Sequence, residues 1–184
     1  AGSKPSPNAF VARAIALACG EVPIANASLI GDEIVLWDTV NLGIAVAIAG
    51  PTEWERGLIV PVLRDAQRKS VVQIDAEMRD LAARARSGEL KPGETEDGTI
   101  TLSPTSALLA REAYSWSTPV LNLPQALIVQ PGQAMPRAVV RDGQIVVRTM
   151  MPVSLTFDHR ILDGEPVGRF FQALHDYLLE PARL

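Results

Sequence analysis

The chain has 184 residues, 47% hydrophobic and 21% charged, with a formal net charge of −4. That length and balance suit one domain with a sizeable core. The small negative charge without a basic cluster argues against a nucleic-acid partner, and no apolar run reaches the length of a membrane span.

Residues 1–8 are rich in Pro, Ser and Gly and read as a flexible lead-in. The start is no signal peptide, and without an initiator Met it reads as that of a processed or excised piece. Asn8 is placed to cap a helix running to about Cys19, ended by Gly20, with Phe10, Val11, Ala14, Ile15, Leu17 and Ala18 as a broad apolar face. Cys19, the sole cysteine, lies in that run. It has no partner for an internal disulfide, reads as core and fits a reducing compartment.

Ile34 to Trp37 reads as a short strand after the Gly31-Asp32 turn. Val40 to Ala49 reads as one buried strand, and Leu58 to Leu63 as another, joined in a hairpin through the polar stretch 51–57. Ser70-x-x-Gln73 is a capping box. The helix it opens carries Val71, Ile74, Met78, Leu81 and Ala85 on one face and ends at Gly88. Residues 90–98 form a surface loop, Thr99 to Ser103 a strand, and Ala107 to Tyr114 one or two helical turns. Ala126 to Gln130, Arg137 to Arg141 and Gln144 to Phe157 read as strands, with Asp142-Gly143 the strongest hairpin signal. Glu165 to Leu179 spaces Val167, Phe170, Phe171, Leu174, Tyr177 and Leu178 as a helix. Helices and strands mix throughout, so the class is α/β with a mixed sheet.

Between that last strand and helix lies Thr156-Phe-Asp-His-Arg-Ile-Leu-Asp-Gly164. Binding and catalytic groups collect at such loops. His159, whose side chain titrates nearest neutral pH, is the natural general base there. His175 falls on the polar side of the final helix and reads as solvated. No cluster of residues has metal-ligand spacing, and no Gly-rich phosphate loop is present.

The Asp-His-Arg-x-x-Asp-Gly pattern resembles the signature of the dihydrolipoamide acyltransferases, the E2 catalytic domains of 2-oxoacid dehydrogenase complexes. It is also similar to the looser His-x-x-x-Asp-Gly of chloramphenicol acetyltransferase. Further phrases extend the likeness: Val40-Asn-Leu-Gly-Ile-Ala-Val-Ala, Gly57-Leu-Ile-Val-Pro-Val-Leu-Arg-Asp-Ala, Ser87-Gly-Glu-Leu-Lys-Pro, Asn122-Leu-Pro-Gln-Ala and Val140-Arg-Asp-Gly-Gln-Ile-Val-Val. Their order and spacing cover residues 9–184, which read as the acyltransferase domain without its usual N-terminal portion.

The resemblance implies the chloramphenicol acetyltransferase-like two-layer fold. It also implies transfer of an acyl group from the dihydrolipoamide of a separate lipoyl domain to coenzyme A, with no metal. His159 would be the general base, Asp163 a partner that fixes the loop through a basic residue, and Ser103 an oxyanion donor in the coenzyme A and lipoamide channel. The family further implies trimers with sites between subunits, a larger hollow core, and E1 and E3 components held by other domains. It implies residence in the bacterial cytoplasm or mitochondrial matrix. The acyl group leans towards branched-chain or acetyl.

Two readings compete: a non-catalytic E2-like scaffold, and a stand-alone small-molecule acetyltransferase. The scaffold draws on one departure. Where the family reads Thr-Ile-Ser-Asn-Leu-Gly, this chain reads Thr101-Leu-Ser-Pro-Thr-Ser106, and the segment to Asn122 is a few residues longer. Pro104 fixes φ and removes a backbone N–H, so a partly misformed site around Ser103 is expected.

Overall fold

Pro7 and Pro23 bracket the first helix, α1 (Pro7–Glu21). The protein is described here from a computed structural model covering residues 4–105 and 117–184. The helical turns expected over Ala107 to Tyr114 lie outside the described residues. Helix α1 starts one residue before Asn8, with Ser6 at the N-cap position, and it runs through Gly20. Pro suits the first helical turn because its missing N–H would have no partner there. Ahead of it the chain is tied down, since Ser6 N–H donates to Asp75 Oδ1 at 2.8 Å. The apolar face proves wider than a stripe: Ala9, Val11, Ala12, Ala14, Ile15, Ala16, Ala18 and Cys19 are all buried. So many small residues let neighbouring elements pack closely on several sides.

The expected strand at Ile34 is one half of a hairpin, β1 (Ala27–Ile30) with β2 (Glu33–Leu36), turning at Gly31 and Asp32. The run expected as one strand from Val40 to Ala49 divides into β3 (Leu42–Ile44) and β4 (Val46–Ile48). The division falls at Ala45: its N–H still donates to Leu102 O, the register partner of Ile44, while Val46 pairs with Ile59. Leu58 to Leu63 divides likewise, at Val60 and Pro61, into β5 (Gly57–Ile59) and β6 (Val62–Leu63). Strands β4 and β5 form a separate two-stranded ribbon. Proline cannot donate to a ladder, which accounts for the break at Pro61.

Helix α2 (Val71–Ser87) begins with the predicted capping box: Ser70 Oγ accepts from Gln73 N–H and Gln73 Oε1 accepts from Ser70 N–H. Gly88 closes it. Next come β7 (Ile100–Leu102), β8 (Leu127–Pro131), β9 (Met135–Arg141), β10 (Gln144–Met150), β11 (Val153–Phe157) and α3 (Gly164–Leu179). The strand expected from Gln144 to Phe157 is thus two strands, parted at Met151 and Pro152. Strands β9 and β10 form a hairpin whose Asp142 and Gly143 have φ of 50° and 74°. A two-residue loop of this kind needs positive φ at both positions, which Asp-Gly supplies.

The main sheet has five strands in the order β11-β8-β7-β3-β6. The β3–β7 and β7–β8 pairs are parallel and the outer pairs antiparallel, giving the mixed sheet expected from the sequence. Gly43 in β3 is required by packing, because a Cβ there would lie 2.8 Å from Val60 Cγ1 and 3.1 Å from Thr101 Oγ1. The core joins this sheet to the helices, with Leu42, Ile100, Leu102, Leu127 and Val129 packed together with Ile15, Ile74, Phe170 and Leu174. No helix among the described residues is long and apolar enough to cross a membrane.

Candidate active site

Strand β11 delivers the chain to the loop that holds His159. Beyond its last residue the sheet register continues for one bond, Asp158 N–H to Ala126 O at 2.9 Å. The backbone then folds sharply: Ile161 N–H and Leu162 N–H both donate to Asp158 O at 3.0 Å. Leu162 is buried and anchors the far side of the turn. His159 therefore stands at its apex, with its side chain 71% exposed. The Phe157 ring lies beside it, 5.5 Å away between centroids.

Asp163 stands at the N-cap position of α3, but its carboxylate makes no capping hydrogen bond. Its Oδ1 lies 3.6 Å from His159 Nδ1. Among the described residues, that imidazole is the neighbour Asp163 has at ion-pair distance. Asp158, by contrast, is buried and tightly held. Its Oδ1 accepts from Arg160 N–H at 3.0 Å, and the Arg160 guanidinium meets both carboxylate oxygens at 2.6–3.1 Å. Those hydrogen bonds outweigh burial and hold the Asp158 carboxyl below its ordinary range.

Ser103 is placed elsewhere. Its N–H donates to Val129 O, and Thr105 N–H donates to Pro131 O, so both continue the pairing of β7 with β8. Pro104 falls between these two donors and removes no bond from that ladder. Residues 106–116 of the altered segment lie outside the described residues. Ser103 lines a cleft of about 370 Å³ between β4 and α2. Ile44, Val46, Leu58 and Met78 line it with apolar surface, and Arg79 and Arg86 add charge. His159 is not among its lining residues, and the sheet register sets Ser103 level with Val129 and Leu155, whereas His159 lies beyond the Phe157–Leu127 pair, two strands across.

Ser103 is expected in a channel, but the α2 residues that line its cleft are not foreseen from the sequence. Asp75, Met78, Arg79, Ala82 and Arg86 recur at helical spacing along one side of α2, and that spacing was the available signal. The conspicuous Asn122-Leu-Pro-Gln-Ala phrase proves structural. Thr101 Oγ donates to Gln125 Oε1 at 2.6 Å, and Gln125 Nε2 donates to Gly98 O at 2.8 Å, pinning the approach to β8 against β7. His175 is exposed and stands beside Asp176. Among the described residues, no group of three or more His, Cys, Asp or Glu side chains could hold a metal ion.

The profile of the 2-oxoacid dehydrogenase acyltransferase catalytic domain matches residues 1–184. The chain belongs to that family.

Among family members, the succinyltransferase component of the 2-oxoglutarate dehydrogenase complex of Bartonella vinsonii is 37% identical over 95% of this chain. The acetyltransferase component of the pyruvate dehydrogenase complex of Rickettsia bellii is 36% identical over 98%. The chain spans 40% and 41% of these two relatives. The cubic core of a pyruvate dehydrogenase multienzyme complex superposes with a TM-score of 0.82 at 30% identity, over 96% of this chain and 70% of that one. The dihydrolipoamide acetyltransferase of Azotobacter vinelandii gives the same scores and coverage; its study concerned a serine, a histidine and an asparagine in the catalytic mechanism. Chloramphenicol acetyltransferase, at 20% identity and a TM-score of 0.55, shares the fold.

Proposed function

We propose that this chain is the acyltransferase core of a 2-oxoacid dehydrogenase complex, moving an acyl group from dihydrolipoamide to coenzyme A. The observation that carries this is the His159 turn: an exposed imidazole at the head of α3, four residues before Asp163. In the Azotobacter enzyme the named asparagine likewise stands four positions after the named histidine. Its serine and histidine are four positions closer together than Ser103 and His159.

His159 removes the proton from the attacking coenzyme A thiol, since the thiolate and not the thiol is the nucleophile. The thiolate adds to the thioester carbonyl of acyl-dihydrolipoamide. As the tetrahedral intermediate collapses, the old C–S bond breaks and the proton passes from His159 to the departing thiolate. Both thiols belong to substrates, so no acyl-enzyme forms. Asp163, 3.6 Å from Nδ1, orients the imidazole and favours the imidazolium that forms in transit. Ser103 donates to the oxyanion.

In one chain Ser103 and His159 serve different surfaces, so the site is completed between subunits: His159 of one copy faces the Ser103 cleft of the next. Self-association into trimers and a larger core supplies that arrangement, and the cubic core of a relative supports it. The lipoyl group arrives on a separate domain, and E1 and E3 join through other parts of the full protein, in the bacterial cytoplasm or the mitochondrial matrix. The acyl group is acetyl or branched-chain.

The test is an assay of this chain with acyl-dihydrolipoamide and coenzyme A, run with sedimentation at micromolar concentration. Transfer by an oligomer, reduced about a hundredfold to a thousandfold in Ser103→Ala, is the expected result. An oligomer without transfer would instead favour a scaffold.

A further inference from the structure

We propose that Asp158, acting through Arg160, is a positioning residue that holds His159 in the orientation needed for proton transfer. The inference rests on His159 being the general base.

Three sets of bonds converge on Asp158. Its N–H continues the β11–β8 register, its carbonyl receives Ile161 and Leu162, and its carboxylate receives the backbone and guanidinium of Arg160. The bond from Arg160 N–H to Asp158 Oδ1 closes a side-chain-mediated turn over residues 158–160, with His159 as its middle residue. The imidazole itself is lightly held: its side chain is 71% exposed, and its neighbours are the Phe157 ring at 5.5 Å and Asp163, itself 84% exposed. The backbone that carries the base is therefore fixed from the buried side of the loop, by a carboxylate whose side chain is 7% exposed, while Asp163 meets the ring from the solvent side. The same carboxylate neutralises the Arg160 cation beside a base that must accept a proton. Misplacement of a reacting group by about 1 Å costs on the order of a hundredfold in rate.

The experiment compares Asp158→Asn in two backgrounds. In the otherwise native chain, kcat falls about tenfold to a hundredfold, while KM for both thiol substrates and the Kd for coenzyme A stay within roughly twofold. Arg160→Lys, which keeps one charged donor, retains more activity than Arg160→Ala. In a His159→Ala background assayed with added imidazole, Asp158→Asn has no further effect, because no tethered imidazole remains to be oriented. An equal loss in that background overturns the proposal, as does a shift in KM, Kd or melting temperature that accounts for the loss in kcat. Where imidazole restores no measurable rate, the separation of kcat from KM and Kd decides the matter by the same criteria. Full activity of His159→Ala would remove the general-base reading itself. Native activity of Asp158→Asn with an inactive His159→Ala would remove only the positioning role.

Discussion

His159 Nδ1 lies 3.6 Å from Asp163 Oδ1, and both side chains face solvent at the head of α3. Neither supports the core, so His159→Ala is expected to separate chemistry from folding. Acyl transfer should fall by about a hundredfold to ten-thousandfold, the usual range for losing a general base. The melting temperature should move little, as for exposed substitutions generally. Transfer within tenfold of the native rate, with normal coenzyme A binding, would contradict the role.

Stability is expected to fall in acid through two carboxylates held below their ordinary value of 3.8. For Asp75, burial pushes the carboxyl up, but hydrogen bonds from Ser6 and Arg79 outweigh it. For Asp158 the hydrogen bonds from Arg160 dominate. A depressed folded value means that the stabilisation is complete above the unfolded value and is lost as pH falls through the folded one. Melting temperature measured between about pH 6 and pH 3 should decline at the acid end. Asp75→Asn should be less stable near neutrality and lose less on acidification.

Cys19 is buried in α1, and burial pushes its thiol up to about 12. The thiol form is therefore favoured in the folded protein. It contributes stability below the ordinary value of 9.0 that is lost as pH rises from there towards the folded value. Ellman's reagent at pH 8 should find no reactive thiol in the native chain and one in urea. Rapid reaction of the native protein would show that α1 opens locally.

Phe170 is fully buried where α3 meets the core beside Ile15 and Leu174. Phe170→Ala should cost about 3–5 kcal/mol, by lost transfer energy and the cavity left behind. Urea denaturation should show the midpoint falling with little change in slope. A loss below about 1 kcal/mol would mean that the neighbours collapse into the space.

The features legible in the sequence are those set by short-range sterics and bonding. The Ser70–Gln73 capping box, the Asp142-Gly143 hairpin and the strand-to-helix loop around His159 each lie within a few residues, and each stands in the structure where its pattern places it. Tertiary pairing decided the rest. Val40 to Ala49 has uniform apolar character, yet it divides at Ala45 because Leu42–Ile44 joins β6 and β7 while Val46–Ile48 joins β5. The breadth of burial on α1 depends on what surrounds the helix, which its own periodicity does not encode. Ser103 and His159, 56 positions apart in the chain, are separated for the same reason. Ser103 follows β7 into the α2–β4 cleft, and His159 follows β11 to an exposed turn. Residue types name the chemistry, whereas the pairing of distant strands determines which surface each side chain faces.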